Sequence, residues 1–216
     1  MPHFDAVIFD LDGTLADSLA DIGGAMNETL AAHGHPTHPL EAYRDFVGEG
    51  IETLARRAMP QPPRADVADF VADYRARYRL RIAKETRPYP GVPEALDGLT
   101  AKGLKLAILS NKRDDFTVEL VKTLFGRWSF VEVRGERQGV PRKPNPQAAL
   151  EIAVRLEVAP ARCAFVGDTP IDMKTARNAG MHAVGVTWGF RPANELNDAG
   201  AHVVLRHPSE LVDALR

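Results

Sequence analysis

The stretch VIFDLDGTLAD, residues 7–17, opens as a strand and closes in acid. Ala6, Val7, Ile8 and Phe9 form a run that is apolar on both faces, the pattern of a strand buried inside a parallel sheet. Asp10 and Asp12 follow it two positions apart. Like charges this close resist joint ionisation unless a cation or a shared proton sits between them. A plain turn is met by Asn-Gly or Ser-Gly at lower electrostatic cost, so the two acids point to chemistry at the end of this strand.

Outward from this stretch, two textures alternate. Short apolar runs recur at 104–110 (LKLAILS), 130–133 (FVEV), 163–168 (CAFVGD) and 182–187 (HAVGVT), with a weaker one at 201–205 (AHVVL). Segments of helical period at 93–99, 116–124, 146–156 and 173–179 separate most of them. Buried strands alternating with helices predict a doubly wound, Rossmann-like α/β core, a parallel sheet covered on both sides. From about Leu15 to Arg87 the rhythm breaks and no convincing strand occurs. Ile22, Met26, Thr29 and Leu30 form one helical stripe, Ile51, Leu54, Ala55 and Ala58 a second, and Val67, Phe70, Val71, Tyr74 and Tyr78 a third. Pro36, Pro39, Pro60, Pro62 and Pro63 punctuate them. The expectation is a small α-helical cap at 16–87, inserted into a catalytic core of 1–15 and 88–216 and left through RPYPG at 87–91.

Composition narrows the function classes. A net charge of -2 over 216 residues argues against a dedicated nucleic-acid binder. No apolar stretch approaches the roughly 18–20 residues that cross a bilayer. The beginning MPHFDAVIFD lacks a basic region ahead of a long apolar core, so no secretory signal is expected. Cys163 is the single cysteine, which excludes an internal disulfide and a cysteine-rich zinc site. It reads as a buried strand residue in a reducing, cytoplasmic setting.

In an open parallel sheet, ligands bind beyond the carboxyl ends of the strands. Four polar clusters sit at such places: DLDGT (10–14), SNK (110–112), RKP (142–144) ahead of a helix, and GDTPID (167–172). Asp10, Asp12, Ser110, Lys143, Asp168 and Asp172 are thereby expected at one rim. Hard carboxylate oxygens suit Mg²⁺, and a lysine and hydroxyl beside them suit a phosphoryl group. That constellation fits phosphoryl transfer.

The same four clusters, in this order, resemble the four motifs of the haloacid dehalogenase superfamily, and the helical insert resembles its small cap. FVGEGIETLARRA (46–58), YPGVPEAL (89–96), SNKRDDFT (110–117) and NAGMHAVGVTWGFR (178–191) are similar to phosphoglycolate phosphatases and their near relatives. The resemblance implies a two-step hydrolysis. Asp10 would attack phosphorus and form an aspartyl-phosphate; Asp12, protonated at first, would give its proton to the leaving alkoxide and later take one from water. Mg²⁺ would be held by Asp10, the Asp12 backbone carbonyl and Asp168. Asp172 would be a ligand through water or an orienting partner, and it also fits a helix N-cap. Lys143 would neutralise charge around Asp10, while Ser110, Asn111 and Thr14, with N–H groups near Gly13, would hold phosphoryl oxygens. Thr14 equally fits a plain turn.

In the cap, VGEG (47–50) makes Gly48 and Glu49 candidate substrate contacts, against the alternative of an interhelical turn. Arg75, Arg77, Arg79 and Arg81 read as solvated flanks of a buried stripe, with an arginine meeting an anionic substrate as the lesser reading. Arg142 reads as solvated, and Trp128 and Trp188 as packing residues. The implied activity is Mg²⁺-dependent hydrolysis of a small phosphorylated metabolite, 2-phosphoglycolate first, by a monomer or homodimer without nucleic-acid or membrane partners. The alternatives are a pyrophosphatase, or a sugar-phosphate phosphatase or phosphomutase, of the same superfamily. A non-catalytic phosphate-ligand binding protein is the alternative from another class.

Overall fold

The computed structural model describes residues 3–60 and 67–215, so Pro62 and Pro63 and their part of the expected cap lie outside the described residues. The first part of the chain runs β1 (Ala6–Phe9), β2 (Ala16–Asp17), α1 (Leu19–Ala32), α2 (Tyr43–Phe46), α3 (Ile51–Ala58), α4 (Val67–Arg81) and β3 (Arg87–Pro88). Next come α5 (Val92–Ala101), β4 (Lys105–Arg113), α6 (Asp114–Phe125), β5 (Phe130–Glu136) and α7 (Gln147–Leu156). The chain finishes with β6 (Cys163–Gly167), α8 (Pro170–Asn178), β7 (His182–Val186), α9 (Ala193–Asp198), β8 (Val203–Leu205) and α10 (Leu211–Ala214).

The apolar runs pair as a six-stranded sheet in the order β5-β4-β1-β6-β7-β8, parallel throughout. After β1 the chain builds outward through β4 and β5, then crosses back to lay β6, β7 and β8 on the other side. The order therefore reverses at β1, which opens a crevice at the carboxyl ends of β4, β1 and β6. All four residues of β1 are buried. Val7 and Phe9 enter one core with Leu96, Leu99, Leu120 and Leu211, while Ala6 and Ile8 enter the other with Ile152, Phe165, Met173 and Leu196. Each such buried side chain of Ile or Phe size contributes about 1.5–3 kcal/mol from removal of apolar area from water. Cys163 is buried at the start of β6, and burial pushes its thiol up to about 11, as suits an inert core residue.

The three helical stripes form a third cluster, in which Ile22, Met26, Leu54, Ala58, Phe70, Tyr74 and Tyr78 pack together and against Phe116 and Phe190. Two features differ from the sequence reading. The one-turn helix α2 buries Tyr43 but is too short to show a period. Also, the chain's two crossings pair antiparallel, Ala16 with Pro88 and Asp17 with Arg87, where two residues cannot reveal alternation. Asp21, fully buried, ties these crossings: its carboxylate accepts the N–H groups of Glu85 and Thr86 and the Thr86 hydroxyl, the last at 2.6 Å. Among the described residues no helix is long and apolar enough to cross a membrane.

At the far edge of the sheet, His182 and His202 stack with ring centroids 4.4 Å apart. Burial and the neighbouring His202 lower the pKa of His182; burial and the Arg177 guanidinium lower that of His202. The unfolded chain, with ordinary histidines near about 6.5, binds protons that the folded edge resists. Acidification below about 6.5 therefore favours unfolding through this pair. Thermal melts at pH 7.5 and 5.5 are expected to show a smaller acid-induced drop for His202→Gln than for wild type; an identical drop would remove the pair from the pH response.

Candidate active site

The loop after β1 is tight because Leu15 and Ala16 both donate their N–H groups to the Leu11 carbonyl, and Gly13 donates to Ala16. Gly13 sits at φ +88°, and a Cβ there would lie 2.2 Å from Asp168 Oδ2, so only glycine fits. Trp188 braces the loop from outside, its indole N–H donating to the Thr14 carbonyl at 2.9 Å. Asp10 is locked to the neighbouring strand, its N–H donating to the Val166 carbonyl at 2.9 Å.

Four of the sequence-predicted charges meet at this rim. Lys143 Nζ donates to Asp10 Oδ1 and to Asp172 Oδ1, each at 2.7 Å. Asp168 receives the Thr14 hydroxyl at 3.0 Å on one oxygen and the Phe190 N–H at 2.8 Å on the other. Carboxylate oxygens of Asp10, Asp168 and Asp172 lie within 4.8 Å of one another. Asp172 serves two ends: Oδ1 meets Lys143, while Oδ2 accepts the N–H and hydroxyl of Thr169, which is the N-cap of α8, so Asp172 stands at the third helical position instead of at the cap.

The electrostatics are out of balance. Burial, reinforced by Asp172 against the pull of Lys143, raises the Asp10 carboxyl to about 7. Burial, then the charges of Asp10 and Asp172, lifts Asp168 well above the carboxylate range. Burial acts to lower the Lys143 ammonium, yet Asp10 and Asp172 outweigh it and raise its pKa. Three buried carboxylates thus face one buried ammonium. An oxygen-only donor set whose acids are held up by burial and mutual repulsion fits a hard divalent cation.

Asp12 stands apart from this triad. Both of its oxygens accept from Lys112 Nζ at 2.9 Å, and Oδ1 also accepts the Ser18 hydroxyl at 2.6 Å. The other expected contacts divide. Ser110 lines the cleft above Asp10 and Asp12, and its hydroxyl accepts the Lys112 N–H at 3.2 Å. The Asn111 side chain is spent on backbone, donating to Gly48 and Lys143 carbonyls and accepting the Lys143 N–H at 3.0 Å. Gly48 reaches the cleft through its backbone, whereas the Glu49 carboxylate turns to Arg57 and does not line the cleft. Thr14 orients Asp168.

The arginines are paired rather than simply solvated. Arg75 meets Glu52, Arg77 meets Asp73, Arg79 meets Asp115, and Arg81 meets Glu28 and Glu85. Arg142, read as solvated, bridges Glu52 and Glu136 instead, because α3 brings an acid over it. Lys112 has no role in the sequence reading, yet it sits on Asp12. Its signal lies in the SNK cluster: two positions after Ser110 on β4 puts both side chains on one face.

Over residues 7–186 the sequence matches the family described as "Haloacid dehalogenase-like hydrolase". A phosphoglycolate phosphatase of Chromobacterium violaceum is 34% identical over 221 residues, covering 100% of this chain and 98% of that one. A crystal structure of a Lactobacillus delbrueckii subsp. bulgaricus protein superposes with a TM-score of 0.91 at 30% identity, covering 99% and 98% of the two chains. CbbY from Rhodobacter sphaeroides, solved in complex with phosphate, superposes with a TM-score of 0.80 at 26% identity over 96% of each chain.

Proposed function

The chain belongs to the haloacid dehalogenase-like hydrolase family, and on that premise we propose that it is a Mg²⁺-dependent phosphatase of a small phosphomonoester, 2-phosphoglycolate first. The observation that carries this reading is the division of labour between two acids on one cleft. Asp10 is bound to Lys143, and Asp12 to Lys112 and Ser18.

In this reading Asp10 attacks phosphorus; the bond to the leaving oxygen breaks and an aspartyl-phosphate forms. Asp12 gives its proton to the leaving alkoxide, which departs as the alcohol. The Asp12 carboxylate then takes a proton from water as that water attacks the aspartyl-phosphate, releasing inorganic phosphate and restoring Asp10. Both Asp12 oxygens accept hydrogen bonds from Lys112, which fixes the orientation of the carboxyl group for both proton transfers. Lys143 offsets negative charge at Asp10 as the phosphoryl group arrives. Ser110 and the N–H groups near Gly13 hold phosphoryl oxygens, and Asn111 holds the Lys143 backbone in register. Asp10, Asp168 and the Asp12 carbonyl would hold the metal, with Asp172 supporting it; the cation supplies neutralisation of phosphoryl charge. We treat residues 16–87 as a cap domain that closes the cleft against water, acting on a small phosphorylated metabolite in the cytoplasm.

Phosphate release from 2-phosphoglycolate, pyrophosphate, glucose 1-phosphate and an aryl phosphate, with Mg²⁺ and with a chelator, tests this. Preference for 2-phosphoglycolate, lost on chelation and restored by Mg²⁺, is expected. Turnover of the aryl phosphate alone keeps the chemistry and removes the substrate. No phosphate release from any ester with any divalent cation overturns the reading.

A further inference from the structure

Above Asp10 and Asp12 lies an open cleft, to which Ile22, Ile51, Leu54 and Phe116 give largely apolar walls. Among its polar side chains, which include Tyr74, Ser110 and Asn111, Lys112 and Tyr78 stand out. Lys112 has a side chain only 8% exposed, with its ammonium 4.7 Å from the centre of the Tyr78 ring. Tyr78, itself 1% exposed and lining the same cleft, has a buried hydroxyl with no hydrogen-bond partner. A buried donor left unmade is destabilising, and its presence in a ligand cleft calls for a ligand acceptor. An ammonium has three donors, and Asp12 engages it through two oxygens. Arg113, the other cation on the wall, is held by Asp115 at 2.9 Å.

Position then defines the ligand. The leaving oxygen of a phosphomonoester must lie against Asp12 to receive its proton, and Lys112 touches that same carboxylate. An anionic group that reaches Lys112 must therefore sit very close to the leaving oxygen. We propose that Lys112 and Tyr78 bind a carboxylate attached to the very carbon that bears the phosphate ester, which selects short 2-phosphooxy carboxylates over neutral alkyl, sugar and aryl phosphates. The inference rests on the phosphatase reading and adds its specificity determinant. The apolar walls disfavour hydrated polyols, and the buried Lys112 ammonium supplies positive charge beside the leaving group.

The test compares kcat/KM for 2-phosphoglycolate and ethyl phosphate, which differ by the carboxylate, in wild type, Lys112→Met, Lys112→Arg and Tyr78→Phe. The ratio of the two values cancels any effect that Lys112 exerts through Asp12 alone. That ratio is expected to favour 2-phosphoglycolate in wild type and to fall roughly 30-fold in Lys112→Met, the weight of one charge-assisted contact. Lys112→Arg should restore part of it. Tyr78→Phe should lower the ratio about fivefold, mainly through KM, without lowering the melting temperature, because the hydroxyl has no partner to lose. Should Lys112→Met fail to fold, Tyr78→Phe decides. An unchanged ratio in the folded variants overturns the assignment. Equal turnover of both esters by wild type also overturns it and leaves the phosphatase reading intact. No turnover of either ester, or of the aryl phosphate, overturns both.

Discussion

Asp10→Asn is expected to lower kcat on phosphomonoesters by roughly 10⁴–10⁶-fold, the scale on which loss of a covalent nucleophile acts. The protein should nevertheless fold. Asparagine matches the carboxylate in shape, and its oxygen can still accept from Lys143 at the place where Asp10 Oδ1 now does. The substitution also removes one of three buried acids that repel one another, and burial already holds the Asp10 carboxyl up at about 7. Without divalent cations the melting temperature should therefore be equal to or above that of wild type. Two measurements check this: stopped-time labelling, in which wild type forms a phosphoenzyme and the variant does not, and parallel melts in chelator. Turnover by Asp10→Asn within tenfold of wild type would sink the nucleophile.

How much of this site could be read from the chain alone depends on how far apart its partners lie. Asp10 and Asp12 are legible because a strand apolar on both faces must be central, and ligands gather at its carboxyl end. GDTPID follows the same rule, and the double duty of Asp172 emerges once its two oxygens are seen to face different groups. The fold is legible for the same reason: runs apolar on both faces alternating with helical stripes leave few layer arrangements. What escaped were pairings between distant elements. Lys112 meets an acid 100 positions away, and Arg142 meets Glu52 across 90 positions. The SNK cluster puts Lys112 on the Ser110 face of its strand, but no spacing names the acid that either cation meets. Glu49 illustrates the converse, a residue on the right loop whose side chain is claimed by Arg57 one helix later. Tyr78 was read as part of a buried stripe, which it is, yet no periodicity reports that its hydroxyl is unpaired.

Lys143→Met should act in the opposite sense to Asp10→Asn on stability while sharing its loss of activity. Lys143 has a side chain 3% exposed and joins Asp10 and Asp172 with two 2.7 Å contacts. Removing the ammonium leaves Asp10, Asp168 and Asp172 buried with no lysine among them. Breaking a buried pair from one side costs about 3–5 kcal/mol, because the remaining charge stays desolvated. The site can relieve that strain in two ways: the acids take up protons, or a divalent cation takes the place of the lost charge. Mg²⁺ should accordingly raise the melting temperature of Lys143→Met more than that of wild type, since binding to the folded form alone stabilises by mass action. Turnover should still be roughly 10²–10³-fold lower, because the lysine also offsets charge at the phosphoryl group during transfer. Melts of wild type, Lys143→Met and Asp10→Asn across a Mg²⁺ titration separate these contributions. If Lys143→Met in chelator melts with wild type, the triad is not held in check by this lysine, and the charge imbalance assigned to the site is wrong.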